Sequence, residues 1–186
     1  MYAVDVSFPW RSTPVPGAFI TDRPVAPDAR GSFTKILGEG DDAGHEPLVT
    51  REVFWSSSAR GVFRGLHLQL PPRAARKLVF VTQGAVRDFV LDVRRGSPFE
   101  GQVWETRLDA TTGGLVIPEG CAHGFEVISD EASMVYAQED FYSAADDAGI
   151  LYTSAGIVLE SAEPVISPRD LDLPPLSEFD SPFEFA

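Results

Sequence analysis

The 186-residue chain predicts an all-β domain, an antiparallel sandwich or barrel. Three observations lead there. Apolar and polar residues alternate in short segments, the period of a half-buried strand. Turn-forming residues recur about every ten positions, the spacing of a sandwich or barrel. Helical periodicity is almost absent. In chain order, the candidate strands are 49–56, 63–70, the run 77–93 broken by a turn at Gln83-Gly84, then 102–108, 114–118, 124–128 and 133–138. One short stretch, 143–148, reads as helical. Residues 161–186 form a tail rich in Pro, Asp, Ser and Phe, in which Pro164, Pro168, Pro174 and Pro175 forbid a long helix. No repeat or linker divides the chain, so residues 1–186 read as one domain.

Composition narrows the function. At 44% apolar residues the chain can build a core. No run approaches the ~18 apolar residues of a membrane span, and the N-terminus lacks the apolar stretch of a signal peptide. The lone cysteine, Cys121, rules out an intrachain disulfide framework and fits a cytoplasmic protein. Fifteen basic and 28 acidic residues leave a net charge of −13, which argues against nucleic-acid partners. A small anionic ligand needs only a local cluster of cations. Lys35 and Lys77 are the only lysines, and the other cations are arginines, suited to bidentate phosphate binding.

Three histidines are available for chemistry: His45, His67 and His123. His45 sits in a polar Gly-His-Glu-Pro loop and reads as an ordinary surface residue. His67 lies in Arg64-Gly65-Leu66-His67-Leu68-Gln69, where alternation places Gly65, His67 and Gln69 on one face and Leu66 and Leu68 on the other. His123 ends the turn Pro118-Glu119-Gly120-Cys121-Ala122-His123. A Gly-x-His segment followed about fifty residues later by Pro-x-Gly-x-x-His is the layout of a cupin, a jelly-roll (double-stranded β-helix) barrel. Many cupins bind a transition metal through a second histidine and a glutamate. Here Gln69 fills the histidine position, and residues 71–77 hold three cations and no carboxylate. The sequence therefore predicts no metal and no cofactor. A histidine without a metal can still transfer protons near neutral pH, given a carboxylate partner and an acid. Among the tyrosines, Tyr136 lies inside an apolar strand and is either a core residue or that acid. Tyr142 is its rival.

These motifs, with Arg30-Gly31-Ser32-Phe33, Lys77-Leu78-Val79, residues 92–98, Ile117-Pro118 to Phe125 and Ser167-Pro168-Arg169-Asp170, occur in an order and spacing that resemble the dTDP-4-dehydrorhamnose 3,5-epimerase family over residues 17–170. The resemblance implies a cytoplasmic, homodimeric cupin without metal. It would invert carbon 3, carbon 5 or both of a nucleoside-diphosphate 4-keto sugar, in deoxysugar or surface-polysaccharide biosynthesis. It also implies His67 as base, Tyr136 as acid, Asp170 as the carboxylate behind the base, and Lys77 beside the developing oxyanion. Arg30 and Arg64 would meet phosphates, and Gln69 and His123 would line the sugar site. The wall before Arg64 departs from the family. Rhamnose enzymes commonly read Gln-Asp-Asn-His-Ser there, against Glu52-Val53-Phe54-Trp55-Ser56 here. Lys35 stands in place of a usual glutamate, and Leu68 in place of an aromatic residue. With Glu52 and Phe54 at the substrate wall, the pattern is similar to subfamilies acting on CDP- or GDP-linked sugars. The competing readings are a metal-dependent cupin oxygenase and a catalytically silent sugar-nucleotide-binding cupin.

Overall fold

The structure is a computed structural model and describes residues 10–21, 25–36 and 48–186. His45 lies outside the described residues. In chain order the strands are β1 (Trp10–Ser12), β2 (Phe19–Thr21), β3 (Val25–Asp28), β4 (Gly31–Thr34), β5 (Glu52–Ala59), β6 (Phe63–Gln69), β7 (Lys77–Gln83), β8 (Ala85–Asp92), β9 (Val103–Asp109), β10 (Leu115–Ile117), β11 (Cys121–Val127), β12 (Glu131–Gln138) and β13 (Asp147–Gly149). One short helix, α1 (Pro168–Leu171), and two 3₁₀ turns follow.

Two antiparallel sheets form a cupin jelly roll. One has the order β1-β2-β10-β7-β12-β5 and the other β13-β6-β11-β8-β9, while β3 and β4 form a separate hairpin. Val79, Val81, Val86, Val90, Leu115, Phe125 and Met134 fill the space between the sheets. A second core lies outside the five-stranded sheet. There Phe63, Leu66, Phe89 and Leu91 pack against Ile150, Ile157 and Phe183 of the C-terminal arm. This second core explains β8 and β11. Both faces of these strands are covered, so they are buried almost throughout and do not alternate.

The arm is pinned as well as packed. Glu126, almost wholly buried on β11, accepts the backbone N–H groups of Glu160 and Ser161 and an N–H from Arg87. Its negative charge is therefore both paired and hydrogen-bonded, as a buried carboxylate requires. Further along, Ser167 caps α1 by accepting the Asp170 N–H, and Pro168 occupies the first helical turn, where no N–H is needed. The helix is only four residues long, as the flanking prolines dictate.

Two expectations need correction. The stretch 143–148 is not helical. Ser143 Oγ donates to Asp146 Oδ2, Asp146 accepts the Leu70 N–H through its carbonyl, and residues from Asp147 onward pair with β6. Local side-chain bonding and a waiting strand edge outcompete six residues of weak helical pattern. Strict alternation on β6 would also put Arg64 on the face opposite His67, whereas both face the same cleft. The register explains this. His67 pairs with His123 and Arg64 with Phe125, so three residues of β6 span two of β11. Gly65 sits at that bulge with φ +132°. A Cβ there would lie 2.5 Å from the Gly124 Cα. Among the described residues no helix is long and apolar enough to cross a membrane.

Candidate active site

A cleft of about 320 Å³ opens between the two sheets, lined by Arg64, His67, Gln69, Lys77, His123, Tyr136 and Asp170 among others. That volume is at the lower end for small-molecule sites. β6 and β11 supply the two histidines from one sheet. β7 and β12 supply Lys77 and Tyr136 from the other. His67 and Tyr136 therefore stand on opposite walls.

His67 is held from behind. Its Nε2 lies 2.8 Å from Asp170 Oδ1, and the Gly65 N–H donates to Asp170 Oδ2 at 3.2 Å. The Asp170 side chain is 4% exposed, against 28% for His67, so the carboxylate is hidden and the ring reaches the cleft. Burial pushes the Asp170 carboxyl upward. The hydrogen bond and charge of His67 and the Gly65 N–H outweigh it and hold the group below its ordinary value. In the tautomer that donates Nε2–H to an ionised Asp170, the ring lone pair lies on Nδ1.

Lys77 Nζ donates to the His67 carbonyl at 3.2 Å. Burial lowers its pKa to about 8, partly offset by the nearby carboxylates of Asp88 and Asp147. The ammonium thus remains the main form at neutral pH. Tyr136 is half-buried, and its hydroxyl is pushed well above the usual tyrosine range by burial and by the Asp88 charge. Its ring stacks on Phe54 at 4.7 Å between centroids and 9° between planes, and meets His123 edge-on at 6.0 Å. The hydroxyl rests protonated and can serve as an acid.

A second histidine–carboxylate pair lies deeper. His123 Nε2 is 2.8 Å from Asp88 Oδ2, with both side chains buried. Asp88 Oδ1 has no hydrogen-bond partner among the described residues. Burial raises the Asp88 carboxyl, opposed by His123 and Lys77. Sequence reasoning missed Asp88. Its one signal was an acidic residue within the apolar segment Val86-Arg87-Asp88-Phe89-Val90.

Other expected residues divide. Arg64 lines the cleft, donates Nε to Ser58 Oγ at 3.0 Å and makes no ion pair among the described residues. Gln69 also lines the cleft, but its amide ties down a loop, accepting the Ser143 N–H and donating to the Phe141 carbonyl. Phe54 lines the cleft. Glu52 stands behind the wall, its Oε2 taking hydrogen bonds from Gln138 Nε2 at 2.7 Å and the Tyr142 N–H at 2.9 Å. Arg30 lies on the β3–β4 hairpin, 84% exposed and paired with Asp28, outside the lining of this cleft. Tyr142 sits at the mouth with its hydroxyl on Asp147. Among the described residues no group of three or more His, Cys, Asp or Glu is arranged to hold a metal.

A sequence profile of the family dTDP-4-dehydrorhamnose 3,5-epimerase matches residues 12–178. The dTDP-4-dehydrorhamnose 3,5-epimerase of Shigella flexneri is 38% identical over 168 residues, covering 86% of this chain and 91% of its own. A solved 4-keto-6-deoxy sugar epimerase from the novobiocin biosynthetic gene cluster of Streptomyces spheroides superposes with a TM-score of 0.87 at 33% identity, covering 93% of this chain and 89% of its own. The Legionella pneumophila enzyme, solved with dTDP-4-keto-L-rhamnose, gives 0.88 at 28% identity, covering 96% and 100%. Fold, cleft and relatives together define a cupin-type isomerase that epimerises a nucleotide-linked 4-keto sugar. The chain belongs to the dTDP-4-dehydrorhamnose 3,5-epimerase family.

Proposed function

We propose that His67 is the base and Tyr136 the acid in the epimerisation of a dTDP-linked 4-keto-6-deoxy hexose. The observation that carries this is the His67–Asp170 pair on one wall of the cleft and Tyr136 on the other. The ketone at carbon 4 acidifies the hydrogens on carbons 3 and 5. Nδ1 of His67 takes one such proton, and the electrons of the broken C–H bond pass into an enolate. The negative charge on the carbon-4 oxygen is met by the Lys77 ammonium. Tyr136 donates its phenolic proton to the opposite face of the same carbon, forming the new C–H bond with inverted configuration. Exchange with solvent then removes the proton from His67 and restores the one on Tyr136. Asp170 fixes the His67 tautomer and stabilises the imidazolium, as a carboxylate does in a catalytic triad.

The base assignment, dTDP, rests on the names of the relatives. Glu52, the charged departure in the wall, is hydrogen-bonded by two protein donors and need not meet the nucleotide. Arg64, which lines the cleft, would meet the diphosphate. Arg30 fits the same role only across a homodimer, in which the hairpin of one protomer reaches the cleft of its partner. The exposed Phe33 on the hairpin and exposed Val53 and Trp55 on the edge strand β5 are surfaces such a dimer would cover. The buried single cysteine suits a reducing cytoplasm.

The test is NMR in heavy water with dTDP-4-keto-6-deoxyglucose, following deuterium entry at carbons 3 and 5. The native enzyme incorporates deuterium at one or both carbons. His67→Asn loses at least about 100-fold of that rate, the size of a general-base effect. Near-native exchange in the variant removes His67 from its role. Absence of exchange by the native enzyme with dTDP-, CDP- and GDP-linked keto sugars removes the reading altogether.

A further inference from the structure

We propose that Phe54 is a positioning residue for Tyr136, holding the phenol so that the enolate is protonated on the inverting face. This inference rests on the reading of Tyr136 as the acid. β5 is an edge strand, and its register on β12 sets Phe54 directly opposite Tyr136. The two rings lie nearly parallel, 4.7 Å apart at 9°, a stacked pair. His123 closes a second side edge-on at 73°. The phenol is thus gripped by one ring across its face and another at its edge. Phe54 itself is 41% exposed, so it is not there to fill the core. Ser56, two residues along the same face of β5, also lines the cleft. Its buried hydroxyl, near the phenol, meets hydrogen-bond geometry with none of the described groups. Two ring contacts therefore constrain the phenol beside the Ser56 hydroxyl.

This arrangement predicts a particular failure. The enolate has two fates. Tyr136 protonates it from one wall, giving inversion. His67 or solvent protonates it from the other, giving exchange with retention. Loosening the Tyr136 ring leaves C–H abstraction by His67 in place and diverts the enolate to retention.

The experiment measures, in heavy water with dTDP-4-keto-6-deoxyglucose, the rate of deuterium entry and the rate of inversion, separated by the proton coupling constants of the sugar ring. In Phe54→Leu the ratio of exchange to inversion rises about tenfold, less than removal of a general acid would give. Phe54→Tyr, which keeps the stacked ring, returns the ratio toward the native value. In a Tyr136→Phe background, Phe54→Leu leaves the ratio where Tyr136→Phe alone put it, because the two residues act as a unit. An equal loss of exchange and inversion with a raised KM in folded Phe54→Leu overturns the proposal and makes Phe54 a substrate contact. An unchanged ratio, or an additive effect in the double variant, also overturns it. Native enzyme without exchange at either carbon is a separate result that removes the parent reading.

Discussion

Asp170 is distant in sequence from the imidazole that it holds. It lies 103 positions from His67, yet its buried carboxylate is 2.8 Å from the ring. Asp170→Asn keeps a similar shape but removes the charge that supports the imidazolium. We expect kcat to fall by about 10²–10⁴ with KM little changed, since the loss falls on the transition state. Steady-state kinetics with folded protein checks this, and a loss confined to KM would refute it. Lys77 gives a second prediction with a defined sign. Its pKa of about 8 means that the cation proposed to meet the oxyanion is lost as pH rises through that value. The kcat profile should therefore fall on a basic limb near pH 8. Lys77→Arg, whose guanidinium does not titrate there, should flatten that limb even if kcat is lower. A limb that stays in place assigns it to another group. His67, Lys77, Tyr136 and Asp170, which the structure gathers at one cleft, were singled out by the resemblance to a known family. Asp88 was not. One carboxylate among 28 acidic residues is distinguished only by the imidazole it meets, and that contact is set by the β8–β11 register.

At the scale of elements, the bulge in β6 aims Arg64 and His67 into one cleft. Gly65→Ala sets a Cβ against the Gly124 backbone at 2.5 Å in a backbone conformation that L side chains rarely adopt. Relief requires β6 and β11 to separate where His67 and His123 are paired. The expected loss is about 1–3 kcal/mol of stability, seen as a lower urea midpoint, together with a fall in kcat. Native values for both would show that the glycine does not set the register. Sequence patterning captured the long strands because seven or eight residues of alternation, or of nearly continuous apolar character as in β8 and β11, outweigh noise. It placed 49–56 early, whereas β5 covers Glu52–Ala59, because Val49 resembles a strand residue but does not pair. β1, β2, β3, β4 and β13 are three or four residues long, too short to show a period. The misread stretch 143–148 illustrates the same limit: a strand of three residues exists only because β6 offers an unpaired edge.

For the whole molecule, two electrostatic effects oppose each other as pH falls. The net charge of −13 causes self-repulsion, which relaxes toward the isoelectric point near 4.5. Specific carboxylate pairs act the other way. In Asp92, burial raises the pKa but is outweighed by Arg94 and Ser97, so the group stays below its ordinary value. Asp170, Glu139 and Asp109 are depressed too. A carboxylate whose folded pKa is depressed adds stability above its unfolded pKa, and that stability is lost as pH falls through the folded value. Asp88 and Glu119 are raised and contribute with the opposite sign, penalising the fold as pH rises. Repulsion therefore eases first, and the depressed pairs fail only below about pH 4. The urea midpoint should be level or slightly higher at pH 5 than at pH 7, then drop steeply below pH 4. Asp92 should account for part of that drop. Its carboxylate holds Arg94 and Ser97 and is wholly buried, while Arg94 also binds the Pro16 carbonyl and lies over the Phe185 ring. Asp92→Asn leaves the arginine charge largely buried without its partner, a loss of about 3–5 kcal/mol at neutral pH. The variant should then show a shallower acid transition, because the titrating group is gone. A steep decline in stability already complete at pH 5, or an acid slope unchanged in Asp92→Asn, would contradict this account.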